Sequence, residues 1–162
     1  MSAAASGGVR SVRAALRRAL PYFIAAAVCI IVGGALAAAT AYVTTQKTAW
    51  ATAYIVLVGG VAQAVLGAAL GWIATHARMP VVWTAFVLWN LANIGVVAGQ
   101  LTGVIALTFL GGAAFVIALI LIIVATLRAG PAHPVLLWAF RIVVVLLVVS
   151  TPTGLVLAAL GR

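Results

Sequence analysis

Neither aspartate nor glutamate occurs anywhere in the sequence. That absence removes carboxylate general acids and bases, hard-metal sites, and the carboxylate relays common in pumps and transporters. It also leaves every basic side chain without an acidic side chain to pair with. Charge of either sign is scarce, at 6% of residues, where a soluble domain carries about a quarter. Cysteine is nearly absent too: Cys29 stands alone, so no internal disulfide can form and the redox compartment stays unread. It lies inside an apolar run and reads as a small buried hydrophobe. The two histidines, His76 and His133, fall in expected loops and lack cysteine or carboxylate help, which makes an incomplete zinc site. No metal and no cofactor is expected.

What the chain does contain is apolar: 67% hydrophobic residues and a mean hydropathy of +1.37. Too few polar side chains remain to coat a water-facing surface, so lipid is the expected solvent, and 162 residues set a single domain. Nine Lys and Arg give a net charge of +9. They sit at the ends of apolar runs and not in a stripe, which suits anionic lipid headgroups and topology signalling and excludes nucleic acid as a partner.

A transmembrane helix needs about 20 mostly apolar residues. After a basic cytoplasmic segment, residues 1–20, the single helical domain of residues 21–162 divides into five such runs. The first covers 21–43, with Pro21 read as a first-turn proline, and ends at the polar stretch Thr44 to Thr48. The second covers 50–75 and closes at His76–Pro80. From Val81 to Leu127 one helix would be about 70 Å long, against a hydrocarbon core of about 30 Å, so the chain must fold back. Gly99-Gln100-Leu101-Thr102-Gly103 is the best turn, giving helices over 81–99 and 103–127. The fifth run covers 135–160. The fold class is therefore all-α, an integral membrane bundle of five helices, or of four if one arm of the third-to-fourth hairpin is re-entrant.

Charge asymmetry orients the bundle. With the N-terminus inside, the cytoplasmic side holds Arg10, Arg13, Arg17, Arg18, Arg78 and Arg128, with Arg141 close by, seven residues past Pro134. Its long side chain can snorkel back to the phosphates. Lys47 and Arg162 fall outside. Tyr22, Trp72, Trp83 and Trp138 mark the inner interface; Tyr42, Trp50 and Tyr54 mark the outer one. The basic start, the apolar stretch and Ala37-Ala38-Ala39 also resemble a signal peptide, a rival reading of the first run.

Within lipid, helices associate through close backbone approach and interhelical hydrogen bonds. Gly60, Ala64, Gly67 and Gly71, at steps of three and four, share one face of the second helix and read as a packing seam, with that helix central. Gln63 lies about 20 Å from the outer end of its helix and Asn90 about 14 Å from the inner end of its own, so both reach mid-bilayer. Asn93 shares the Asn90 face. Unpartnered amides are costly there, so all three must face protein or water. They form either a staple between helices or a polar patch lining a solute path. Pro152, within Ser150–Gly154, is the expected kink of the fifth helix.

Two stretches carry a resemblance. Ala51–Gly67 (ATAYIVLVGGVAQAVLG) and Phe86–Gly95 (FVLWNLANIG) resemble helices of small bacterial membrane proteins related to haem–copper oxidase subunit I, and of small multi-pass actinobacterial membrane proteins. Gly59, Gln63, Gly67 and Asn90 match that pattern. Where the pattern carries haem-ligand histidines, this chain has Thr52, Tyr54 and Trp89. The resemblance implies a similar helical fold without haem chemistry. The expectation is a non-enzymatic accessory or scaffold component of a bacterial plasma-membrane complex, associating with other membrane proteins or with itself. The alternatives are a transporter or channel for a small neutral or anionic solute, and a degenerate relative of a haem-binding redox protein.

Overall fold

A computed structural model describes the backbone of residues 2–74, 76–127 and 134–159, and the side chains of 11–74, 76–127 and 134–150. Five helices and no strand occur among the described residues: α1 (Ser2–Ala39), α2 (Gln46–Ile73), α3 (Met79–Thr102), α4 (Ile105–Leu127) and α5 (Pro134–Ala159). Four of them, α1 to α4, are long and apolar enough to cross a membrane. Position 75, residues 128–133 with Arg128, Gly130, Pro131 and His133, and residues 160–162 with Arg162 lie outside the described residues. So do the side chains of Arg10 and of Pro152, although the α5 backbone is helical through position 152.

Several helix limits differ from the sequence reading, each for a local reason. Pro21 is not a first-turn residue: α1 runs 38 residues, about 57 Å at 1.5 Å per residue, with Pro21 in its interior. The helix therefore continues back through the basic segment. Gln46, Lys47 and Thr48 do not form a break but open α2. Thr45 is the N-cap; its hydroxyl accepts from the Thr48 N–H at 3.2 Å, while the Thr45 N–H donates to the Thr48 hydroxyl at 2.9 Å. This reciprocal capping satisfies two orphan donors and sets the start. Helix α3 begins at Met79 with Pro80 in its first turn. It also runs past Gly99 to Thr102, and the chain reverses at Gly103, whose φ of 76° is the left-handed conformation that glycine adopts without a Cβ clash. With 24 and 23 residues, α3 and α4 are both full-length arms.

Helix α2 sits at the centre, packed against each of the other four helices. It is not uniformly α-helical. Ile55–Ala62 and Ala69–Ile73 are wound as π-helix, the second closed by the Ala74 N–H donating to the Ala69 carbonyl at 2.9 Å. The wider winding coincides with Gly59, Gly60 and Gly71. One core joins α2 to its neighbours through Tyr22, Leu66, Leu70, Val82, Trp89, Phe115, Ile122, Phe140 and Leu147. Trp89 and Phe115 meet with ring centroids 4.5 Å apart; such a pair adds about 1 kcal/mol beyond burial. The outer surface is equally apolar, with Ile31, Leu110 and Val135 each more than two-thirds exposed.

Candidate functional site

Helices α1 and α2 run antiparallel along a seam of small residues. A methyl group added at Gly60 would stand 2.6 Å from Ile30 Cγ1; one at Gly71 would stand 2.9 Å from the Ala15 carbonyl oxygen. At Gly67 it would collide with Tyr22 Cβ. Gly60, Gly67 and Gly71 thus face α1 together, and Ala64 on the same stripe is half-buried. Cys29 packs against Gly59 in the same seam. Tyr22 faces into the bundle, not outward. It is fully buried, its hydroxyl donates to the Val82 carbonyl of α3 at 3.1 Å, and its ring meets Phe86 edge-on at 5.1 Å. Trp72, Trp83 and Trp138 are exposed.

The three amides are divided by the structure. Gln63, fully buried on α2, donates from Nε2 to Asn90 Oδ1 on α3 at 3.4 Å, and Asn90 Nδ2 donates to the Phe86 carbonyl at 2.9 Å. Asn93 does not join that pair: its Nδ2 donates to the Trp89 carbonyl of its own helix at 2.8 Å. The back-bond to residue i−4 is always within reach of a helical Asn, whereas reaching a neighbour depends on azimuth. Thr52 Oγ1, Gln63 Oε1, Trp89 Nε1 and Asn93 Oδ1 are buried with no hydrogen-bonding partner in the protein. The Gln63–Asn90 pair holds neutral donors and acceptors only. It can hydrogen-bond and cannot transfer a proton near neutral pH, which fits the absence of carboxylates in the chain. Of the positions where the resembling proteins carry histidine, Trp89 packs on Phe115 and Tyr54 stacks on Trp50 at 5.1 Å.

Arg13, Arg17, Arg78, Arg141 and His76 are exposed, and Arg18 is half-buried. The Arg141 guanidinium lies 5.7 Å above the Trp138 ring on the same helix. Among the described residues no group of three or more His, Cys, Asp or Glu gathers to hold a metal.

A second seam joins α3 to α4; the Gly111-Gly112 pair marks its α4 side in the sequence, and its α3 side carries a weaker signal. Gly95 and Gly99 of α3 face Gly111 and Thr108 of α4. A methyl at Gly111 would lie 2.7 Å from Val96 N and 2.9 Å from the Ala92 carbonyl oxygen, and one at Gly99 would lie 2.5 Å from Thr108 N. The signal was available as a GxxxG spacing at Gly95–Gly99, hidden because Gly99 served as the start of the turn. The chain matches no protein-family profile, no curated protein and no solved structure.

Proposed function

We propose that this chain is a multi-pass integral membrane protein that works as a non-enzymatic accessory or scaffold component of a membrane complex. On this reading α1 to α5 all cross the bilayer of a bacterial plasma membrane, with the N-terminus cytoplasmic and the C-terminus external. The observation that carries it is the Gln63–Asn90 bond: the mid-helix amides face each other inside the bundle, while the outside is apolar. A protein whose polar groups are spent on its own cohesion, and whose surface is hydrocarbon, meets other molecules through helix faces. The orientation is supported by charge. Antiparallel α1 and α2, with Tyr22 on Val82, put Arg13, Arg17, Arg18 and Arg78 at one end of the bundle and Lys47 at the other.

One observation favours a solute pathway instead, namely the four unpartnered polar atoms of Thr52, Gln63, Trp89 and Asn93. Cysteine labelling separates the two. In a Cys29→Ser background, Asn90→Cys in intact membranes is expected to resist a membrane-impermeant maleimide from both sides, and polymer extraction is expected to retain the protein in a larger particle of constant stoichiometry. Labelling from one side only, with solute flux in proteoliposomes, would replace the scaffold reading with transport.

A further inference from the structure

Helices α1 and α3 run parallel where they meet, joined by the Tyr22 hydroxyl on the Val82 carbonyl. Four residues before Tyr22 on the same face of α1 stands Arg18. Four residues before Val82 stands Arg78, the N-cap of α3. One turn is about 5.4 Å, so both guanidinium-bearing residues sit at one level, at the mouth of the α1–α3 junction. Arg18 is half-buried there, while Arg13 and Arg17 on the other faces of α1 are exposed. The Trp72–Phe23 pair, 6.2 Å between centroids, and half-exposed Trp83 lie about one turn further along the helices. That is the depth order of an interface, aromatic rings at the headgroup boundary and cations at the phosphates.

Two cations at one level repel unless something neutralises them, and the sequence offers no carboxylate side chain to do so. A counter-charge bound here therefore comes from outside the chain. We infer that Arg18 and Arg78 hold the phosphate of an anionic phospholipid at the mouth of the α1–α3 junction. The same absence sets the selectivity. A zwitterionic lipid brings an ammonium group that finds no acidic side chain here and is repelled by the surrounding arginines, whereas an anionic lipid brings no such penalty. Guanidinium forks suit phosphate oxygens in bidentate geometry, and basic clefts between membrane helices are a recurrent headgroup site. This inference rests on the membrane reading above and adds to it a particular lipid class and a particular place.

The test uses the full chain reconstituted in vesicles of phosphatidylcholine, alone or doped with phosphatidylglycerol or cardiolipin, and reads lipid retained on the protein by native mass spectrometry. Retention of the anionic lipid over phosphatidylcholine is expected. It should weaken about fivefold for each of Arg18→Gln and Arg78→Gln, as loss of a near-surface cation implies, and less than about twofold for the charge-matched control Arg141→Gln. Equal weakening in all three variants, or retention unchanged in the Arg18→Gln/Arg78→Gln double variant, would overturn the site. Displacement by inorganic phosphate as effective as by lipid would also overturn it, marking a free-anion site. If the chain fails to float with phosphatidylcholine vesicles after an alkaline wash, the membrane reading itself falls and the inference falls with it. Flotation without anionic preference sinks the inference alone.

Discussion

The α1–α2 and α3–α4 pairs both depend on glycine, and they use it differently. On α2 the glycines at 60 and 67 are notches that receive side chains, Ile30 and Tyr22, and Gly71 alone of the three lies on main chain, the Ala15 carbonyl oxygen. Between α3 and α4 the glycines bring main chain against main chain: Gly111 lies on Val96 N and the Ala92 carbonyl, Gly99 on Thr108 N. The outer atoms of Ile30 can turn aside for an added methyl, whereas a helical backbone, or a Cβ fixed to one as at Tyr22, moves only with its whole helix. Gly60 and Gly111 should therefore differ in tolerance, although by composition the two seams look alike.

Substitution sharpens or breaks this contrast. Gly111→Ala should cost most, about 3 kcal/mol of stability in a denaturing-detergent titration of the purified protein, because backbone meets the new methyl on two sides. Gly60→Ala should cost about 1.5 kcal/mol, since the Ile30 side chain can change rotamer. Equal losses at the two positions would erase the distinction. Gln63→Leu, which cuts the amide tie between the two pairs and leaves the Tyr22–Val82 bond, should lose about 0.6 kcal/mol, the usual worth of such a bond between membrane helices. A loss several times larger would mean that the amide network, and not the glycines, holds the bundle. Gly34→Ala should change least, because nothing stands within 4 Å of the added methyl. If Gly34→Ala is silent in the pure protein yet loosens a complex extracted from native membranes, a partner covers that face of α1.

These contrasts also show which features the sequence could express. The five apolar runs, the reversal near Gly103 and the small stripe of α2 were legible because length, turn chemistry and residue size are local properties. Azimuth was not. An outward Leu110 and an inward Leu66 are equally apolar, so the 3.6-residue alternation that reveals the inner face of a water-soluble helix is muted here. Hence Asn93 was grouped with Asn90, although its amide turns to the Trp89 carbonyl. Hence also an aromatic ring such as Tyr22 does not show from the sequence that it faces inward, into the space beside Gly67. Pro21 misled for a different reason: proline fits a helix start well, but its interior placement needs only that packing on α2 outweigh one lost backbone bond.

The large side chains between the two pairs have a mechanical consequence. Where main chain is reached directly, at Gly71, Gly95, Gly99 and Gly111, the paired helices have little compliance. Between the pairs the shared core includes Leu66 and Leu70 of α2 and Val82 and Trp89 of α3, with two hydrogen bonds across, Gln63 to Asn90 and Tyr22 to Val82. Interdigitated side chains allow small sliding steps by rotamer change, whereas backbone contact does not. Under lateral stress the molecule should yield as two stiff blades sliding past each other along the boundary between the pairs, with the Gln63–Asn90 and Tyr22–Val82 bonds as its shear pins.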